Sequence, residues 1–169
     1  MIRRSPLDGV GLSDGVRELP FLAQVSVRTQ TPGPSLPTER NTVAGDESRA
    51  ALWLGPDEWL VVGPPRREGE LETDLRAMGA TVVDVSANRT TLELRGPRAR
   101  ELLEFGCPID LDPRVFGPGR CAQTLLARAN ALIWFVADDP EPVYRLLVRP
   151  SFAAHVAAWL ADAADGLTD

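Results

Sequence analysis

The stretch from Val82 to Leu103, VVDVSANRTTLELRGPRARELL, constrains the fold more than any other part of the chain. VVDVS and TTLELR are short apolar runs joined through Ala87, Asn88 and Arg89. In the second run Leu92 and Leu94 alternate with Thr91, Glu93 and Arg95, the period of two expected of a strand. Gly96-Pro97 then opens a helix, because proline is favoured where the first helical N–H has no partner anyway. Ala99, Leu102 and Leu103 line the apolar face of that helix, while Arg100, Glu101 and Glu104 face outward. A strand–strand–helix unit of this length must lay its apolar stripe on a sheet.

The flanking segments extend the same pattern. ALWLGPDEWLVVG reads as a tight hairpin that turns at Gly55-Pro56-Asp57. Glu68 to Met78 spaces Leu71, Leu75 and Met78 for a helix, with an acidic first half and Gly79 suited to the C′ position. CAQTLLAR and ALIWFVAD are strands expected to join at Ala129-Asn130, and the second is apolar on both faces, hence central. VYRLLVR alternates Tyr144, Leu146 and Val148 with Arg145 and Arg149. Ser151 is the expected cap of a last helix whose stripe is Phe152, Val156, Trp159, Leu160 and Ala163. The order predicts an α+β fold with a largely antiparallel sheet and three main helices. Residues 1–49 are expected to form an N-terminal arm with one short strand in Leu19–Arg28 and the proline-rich loop TQTPGPSLPTER; residues 50–169 are expected to form the compact α+β domain.

Composition narrows the function. A chain of 169 residues, 44% hydrophobic, can bury a core without disulfide or metal staples. Its net charge of −6 argues against nucleic acid or an anionic membrane as partner. No run approaches the ~20 apolar residues of a membrane span, and MIRRSPLDGV lacks the apolar core of a signal peptide. The expected location is the cytoplasm. All 18 basic residues are arginine, which excludes Schiff-base and lysine general-base mechanisms. Codon bias explains this, and so do interfaces that favour a planar guanidinium. Cys107 and Cys121 lack CxxC spacing; free buried thiols or a mutual pair both fit.

Candidate chemical groups are few. His155 is the single histidine and falls at the border of the last helix's stripe, so neither a metal centre nor a triad has its usual complement. Asp84 and Ser86 project from one face of a strand, where they either meet a polar ligand or order the following turn. Arg95 and Arg98, with Arg100, surround the Gly96-Pro97 helix start, as an anion site or as a solvated charged face. Neither GxGxxG nor GxxxxGK[ST] is present. No catalytic, cofactor-binding or metal-ligating residue is assigned. Trp53, Trp59, Trp134 and Trp159 are expected in or near the core.

VVDVS followed by RTTLEL-GPRARELL, then GCPIDL, then the PGRCAQTLLA run, resembles the gamma subunit of heterotetrameric sarcosine oxidase. LGPDEWLVV and YRLLVRPSFAAHVAAWLADA resemble that family too, so the likeness covers about Leu52 to Ala163 and a typical SPL near Ser5. The Asp-x-Ser strand and Gly-Pro helix are shared more widely with the glycine-cleavage T-protein and related folate-binding folds. The resemblance implies a T-protein-like architecture and a non-catalytic accessory subunit that stabilises or orients flavin-bearing partners, inactive by itself. The implied holoenzyme oxidises sarcosine to glycine with peroxide formation, passing the one-carbon unit to tetrahydrofolate or releasing formaldehyde. FAD, FMN, NAD and zinc are implied on the alpha, beta and delta subunits and none on this chain. A stand-alone folate- or one-carbon-binding module is the alternative.

Overall fold

The computed structural model describes residues 3–167. Among these residues ten strands form two five-stranded sheets, antiparallel throughout. In chain order the elements are β1 (Val16–Leu19), β2 (Ala23–Arg28), β3 (Val43–Gly45), β4 (Ala50–Gly55), β5 (Glu58–Gly63), α1 (Glu68–Ala77), β6 (Thr81–Asp84), β7 (Thr90–Arg95), α2 (Ala99–Glu104), β8 (Arg120–Leu126), β9 (Ala129–Ala137), β10 (Val143–Val148) and α3 (Pro150–Gly166). One sheet runs β3-β4-β5-β2-β6 and the other β1-β7-β10-β9-β8. The α+β class and the three helices are as the sequence predicts.

Strand alternation builds four layers. In the first sheet Val25, Val27, Trp59 and Val61 pack on Leu71 and Leu75 of α1. Their neighbours Ala50, Leu52, Leu60 and Val62 point the other way, against Cys121, Leu132, Trp134 and Leu147 of the second sheet. The outer face of the second sheet, including Leu92, Leu94, Ile133, Phe135, Tyr144 and Leu146, is covered by α2 and α3. Each sheet is therefore buried on both faces, and β5, β9 and β10 are correspondingly apolar almost throughout. Leu52, Leu60, Leu132 and Leu147 are each no more than 3% exposed.

Some local details depart from the sequence expectations. The stretch expected as an arm supplies three strands where one was anticipated: β1 pairs with β7, β2 lies between β5 and β6, and β3 pairs with β4. Its proline-rich loop lies against the first sheet, where Leu36 is buried and the Trp59 indole donates to the Pro37 carbonyl at 2.7 Å. The β8–β9 turn falls at Ala127-Arg128, both at positive φ, two residues before the expected Ala129-Asn130. Helix α3 starts with Pro150 at its first turn and has no side-chain cap, so Ser151 does not serve as one. Its buried stripe is Ala153, Val156, Ala157 and Leu160, a set spaced by three and four that leaves Phe152 39% exposed. At the β3–β4 corner Gly45 has φ +103°, and a Cβ there would stand 2.1 Å from the Arg49 carbonyl oxygen.

One row of the inter-sheet layer is charged. Register places Arg17, Glu93, Arg145, Trp134 and Cys121 side by side across β1, β7, β10, β9 and β8. Glu93 is fully buried and accepts from Arg17 Nε at 2.9 Å and Arg145 Nε at 3.2 Å, with Arg95 Nη2 at 3.6 Å. Arg145 also donates to Glu47 Oε2 at 2.9 Å and to its carbonyl at 3.2 Å, and stacks 5.1 Å over the Trp134 ring. Glu47 belongs to the β3–β4 connection, so Arg145 ties the two sheets together.

Two outcomes test this packing. Arg145→Ala removes the buried guanidinium beside Glu93 and leaves that carboxylate to the more exposed Arg17. It should therefore lower unfolding free energy by about 1–3 kcal/mol, whereas Glu93→Leu with Arg145→Met should cost less; urea denaturation of both variants and wild type measures the difference. Burial pushes the Cys121 thiol up to about 12 from 9, with the Trp53 backbone and Arg120 opposing. The unfolded chain then loses that proton near pH 9 while the folded chain keeps it until about 12, so stability falls as pH rises through this window. Denaturation between pH 8 and 11 should show wild type losing stability more steeply than Cys121→Ala.

Candidate functional site

The four polar residues singled out in the sequence fall into two places. Asp84 ends β6, an edge strand of the first sheet. Its Oδ1 accepts from the Ser86 amide at 2.9 Å and from the Ser86 hydroxyl at 2.6 Å. The Ser86 oxygen accepts in turn from the Gln24 amide at 3.0 Å, and Asn88 N–H bonds the Val85 carbonyl at 2.8 Å. Asp84 and Ser86 thus close the β6–β7 turn, as short polar side chains at strand ends commonly do.

Arg95 and Arg98 line a cavity of about 480 Å³ between the β1 end, the start of α2 and the last turn of α3. Arg95 faces Glu93 at 3.6 Å and Glu141 at 3.9 Å. Arg98 Nη1 donates to the Leu167 carbonyl at 2.8 Å, joining α2 to the end of α3. Asp14 and Asp165 also line this cavity, so carboxylates match the arginines there. Helix α2 begins at Ala99 and has only six residues, Gly96 and Pro97 lying in the turn before it. Arg100 lies apart, donating to the Tyr144 hydroxyl at 3.2 Å, over the Phe135–Tyr144 stack.

His155 is exposed on α3, and its Nε2 lies 2.9 Å from the Ala127 carbonyl oxygen. A carbonyl only accepts, so that nitrogen carries the hydrogen. The Ala127 amide bonds the Gly106 carbonyl at 3.1 Å, and a Cβ on Gly106 would stand 2.5 Å from the Trp159 ring. His155 therefore lies at the surface beside the junction of the β8–β9 turn, the end of α2 and α3, bonded to backbone. Cys107 and Cys121 are buried free thiols, and burial raises both pKa values. Among the described residues, no group of three or more His, Cys, Asp or Glu is placed to hold a metal ion. No helix among them is long and apolar enough to cross a membrane.

The polar cluster that sequence reasoning missed is Arg17, Glu93, Arg145 and Glu47. The alternation of Leu92 and Leu94 with Glu93, and of Leu146 with Arg145, assigns the charged residues to one face of each strand. That face is covered by the first sheet, and only the pairing register brings the charges together. Its centre is internal, with Glu93 wholly enclosed and Arg145 6% exposed, while Arg17 and Glu47 reach it from the exposed side.

Comparison with known proteins agrees with this architecture. Residues 19–166 match the family model described as "Sarcosine oxidase, gamma subunit family". The chain is similar to the sarcosine oxidase subunit gamma of Corynebacterium sp. (strain P-1), 38% identical with 96% of this chain and 90% of the relative covered. The corresponding subunit of Arthrobacter sp. is 41% identical, covering 88% of this chain and 73% of the relative. Among solved structures, a chain of the heterotetrameric sarcosine oxidase from Corynebacterium sp. U-96 in complex with pyrrole 2-carboxylate superposes with a TM-score of 0.85 at 34% identity, over 99% of this chain and 97% of that one. The glycine cleavage system aminomethyltransferase T from Bartonella henselae superposes with a TM-score of 0.64 at 12% identity, over 86% of this chain and 45% of that one, and shows the fold alone. The T-protein-like architecture expected from the Gly-Pro unit is thus present, and with a family match across nearly the whole chain this protein belongs to the sarcosine oxidase gamma subunit family.

Proposed function

We propose that this chain is an accessory subunit of a heterotetrameric sarcosine oxidase that stabilises or orients the flavin-bearing subunits and has no catalytic residue of its own. The observation that carries this reading is the full-length likeness to a chain of a heterotetrameric sarcosine oxidase. The internal chemistry supports it. Asp84 and Ser86 are engaged in a turn, Glu93 in an enclosed ion cluster, and His155 in a backbone hydrogen bond. Thiols with raised pKa values are poor nucleophiles near neutral pH. The partners are alpha, beta and delta subunits carrying FAD, FMN, NAD and zinc, and the assembly works in the cytoplasm on sarcosine or a close N-methyl amino acid.

Two measurements test the proposal. Co-expressed with flavin-bearing partners from its own source, the chain should co-elute with them in size-exclusion chromatography; persistent separate elution would count against the subunit role. Supplied with sarcosine and oxygen, the purified chain alone should release no peroxide above a protein-free blank. Sustained turnover by the isolated chain would show a catalytic site in it.

A further inference from the structure

The inter-sheet layer is open at one end, and that mouth is basic although the chain carries a net charge of −6. A recess of about 430 Å³ is lined there by Arg89 and Arg149 with Gln123, Asn130, Leu132 and Leu147. Registers explain the arrangement. Leu147 pairs with Leu132 and Leu132 with Gln123, all on the face turned toward the first sheet. Arg149 extends that face by one more step beyond β10. Arg89 enters from the β6–β7 turn, its carbonyl held by Gln24 Nε2 at 2.9 Å. It also lines a second recess of about 300 Å³, which contains Arg3, Arg4, Ser86 and Pro150. The two recesses meet at Arg89 and flank the Arg149–Pro150 bond.

Among the described residues no aspartate or glutamate lines either recess. Neither the Arg89 nor the Arg149 guanidinium has a salt bridge among the described residues. Arg89 is half-buried, and the Arg149 charge repels it. Glu58 attracts it, but Glu58 is engaged by Arg28 at 2.9 Å. A half-buried guanidinium crowded by a second cation is electrostatically unsatisfied, whereas arginines elsewhere in this fold, such as Arg17, Arg28 and Arg145, meet carboxylates. Burial and the Arg149 charge both hold the Arg89 pKa below the usual arginine value.

From this arrangement we infer that the mouth of the inter-sheet cleft is a docking site for an acidic segment of a partner subunit, whose carboxylates pair with Arg89 and Arg149. The inference rests on the subunit role proposed above. The cations are distributed along two adjoining recesses, which suits an extended Asp/Glu-bearing peptide better than one compact anion. Leu132 and Leu147 offer apolar contact beneath such a segment, and Asn130 and Gln123 offer amides at its edge.

The test uses the full chain and its flavin-bearing partners, with affinity measured at low and moderate salt. Arg149→Glu and the double change Arg89→Glu with Arg149→Glu should weaken assembly about tenfold or more, and should flatten its salt dependence. Arg40→Glu, at an exposed arginine before β3, should leave affinity unchanged. Arg149→Glu puts a carboxylate beside Arg89 at the start of α3, so it should melt no lower than wild type and remains informative if the double variant misfolds. Assembly of wild type and both variants with equal affinity would overturn the docking site while leaving the subunit role intact. Failure of wild type to assemble would remove both. Binding of citrate that is lost in Arg149→Glu, with assembly unaffected, would make the recess a small-anion site and overturn the proposal.

Discussion

Everything in this molecule depends on two antiparallel sheets sharing one buried layer. Ala50, Leu52, Leu60 and Val62 on one side meet Leu132, Trp134, Leu147 and Cys121 on the other. Because each sheet covers the other, the three helices need shield only the outer faces, α1 on one and α2 with α3 on the other. The charged row at the β1 side of this layer adds specificity. A buried carboxylate must be paired, and Glu93 finds its arginines only in one register of β1 and β10 against β7. A slip of one residue would turn Arg17 and Arg145 toward the apolar helix layer.

Much of this was legible because local signals agreed with one another. The ALWLGPDEWLVVG hairpin, the Leu71–Leu75 helix and the strand–strand–helix unit after Val82 all combine a period with suitable turn chemistry, and β4–β5, α1, β6, β7 and α2 follow them. What stayed hidden depended on tertiary pairing. β1 joins its sheet through β7, a partner distant in sequence, and β3, though paired with the next strand, is only three residues long and too short to show a period. Glu93 and Arg145 alternate with leucines as solvent-facing charges would, yet their face is enclosed by another sheet. The Ala127-Arg128 turn carries none of the usual Gly or Asn signals for positive φ, so the expected joint fell two residues late. Phe152 fits the helical spacing to Val156 and Trp159, yet the buried stripe is Ala153, Val156, Ala157 and Leu160 and leaves it outside.

The four candidate site residues illustrate how a sequence can place polar groups correctly in elements without placing them together. Asp84 and Ser86 sit at the edge of one sheet, while Arg95 and Arg98 line a cavity beside the other. Each pair is engaged by near neighbours. Asp84 receives two hydrogen bonds from Ser86, and Arg98 holds the Leu167 carbonyl. Polar chemistry turned inward in this way suits a rigid body whose purpose is expressed at its surface. At the basic cleft mouth around Arg89 and Arg149 that pairing of charges is incomplete.

The most direct measurement is reconstitution of the oxidase with and without this chain, following sarcosine-dependent peroxide release and the thermal midpoint of flavin loss. If the chain stabilises its partners, the flavin-bearing subunits prepared without it release flavin at a lower temperature and turn over more slowly, and adding the purified chain restores both. Identical flavin retention and turnover in its absence would contradict the stabilising role.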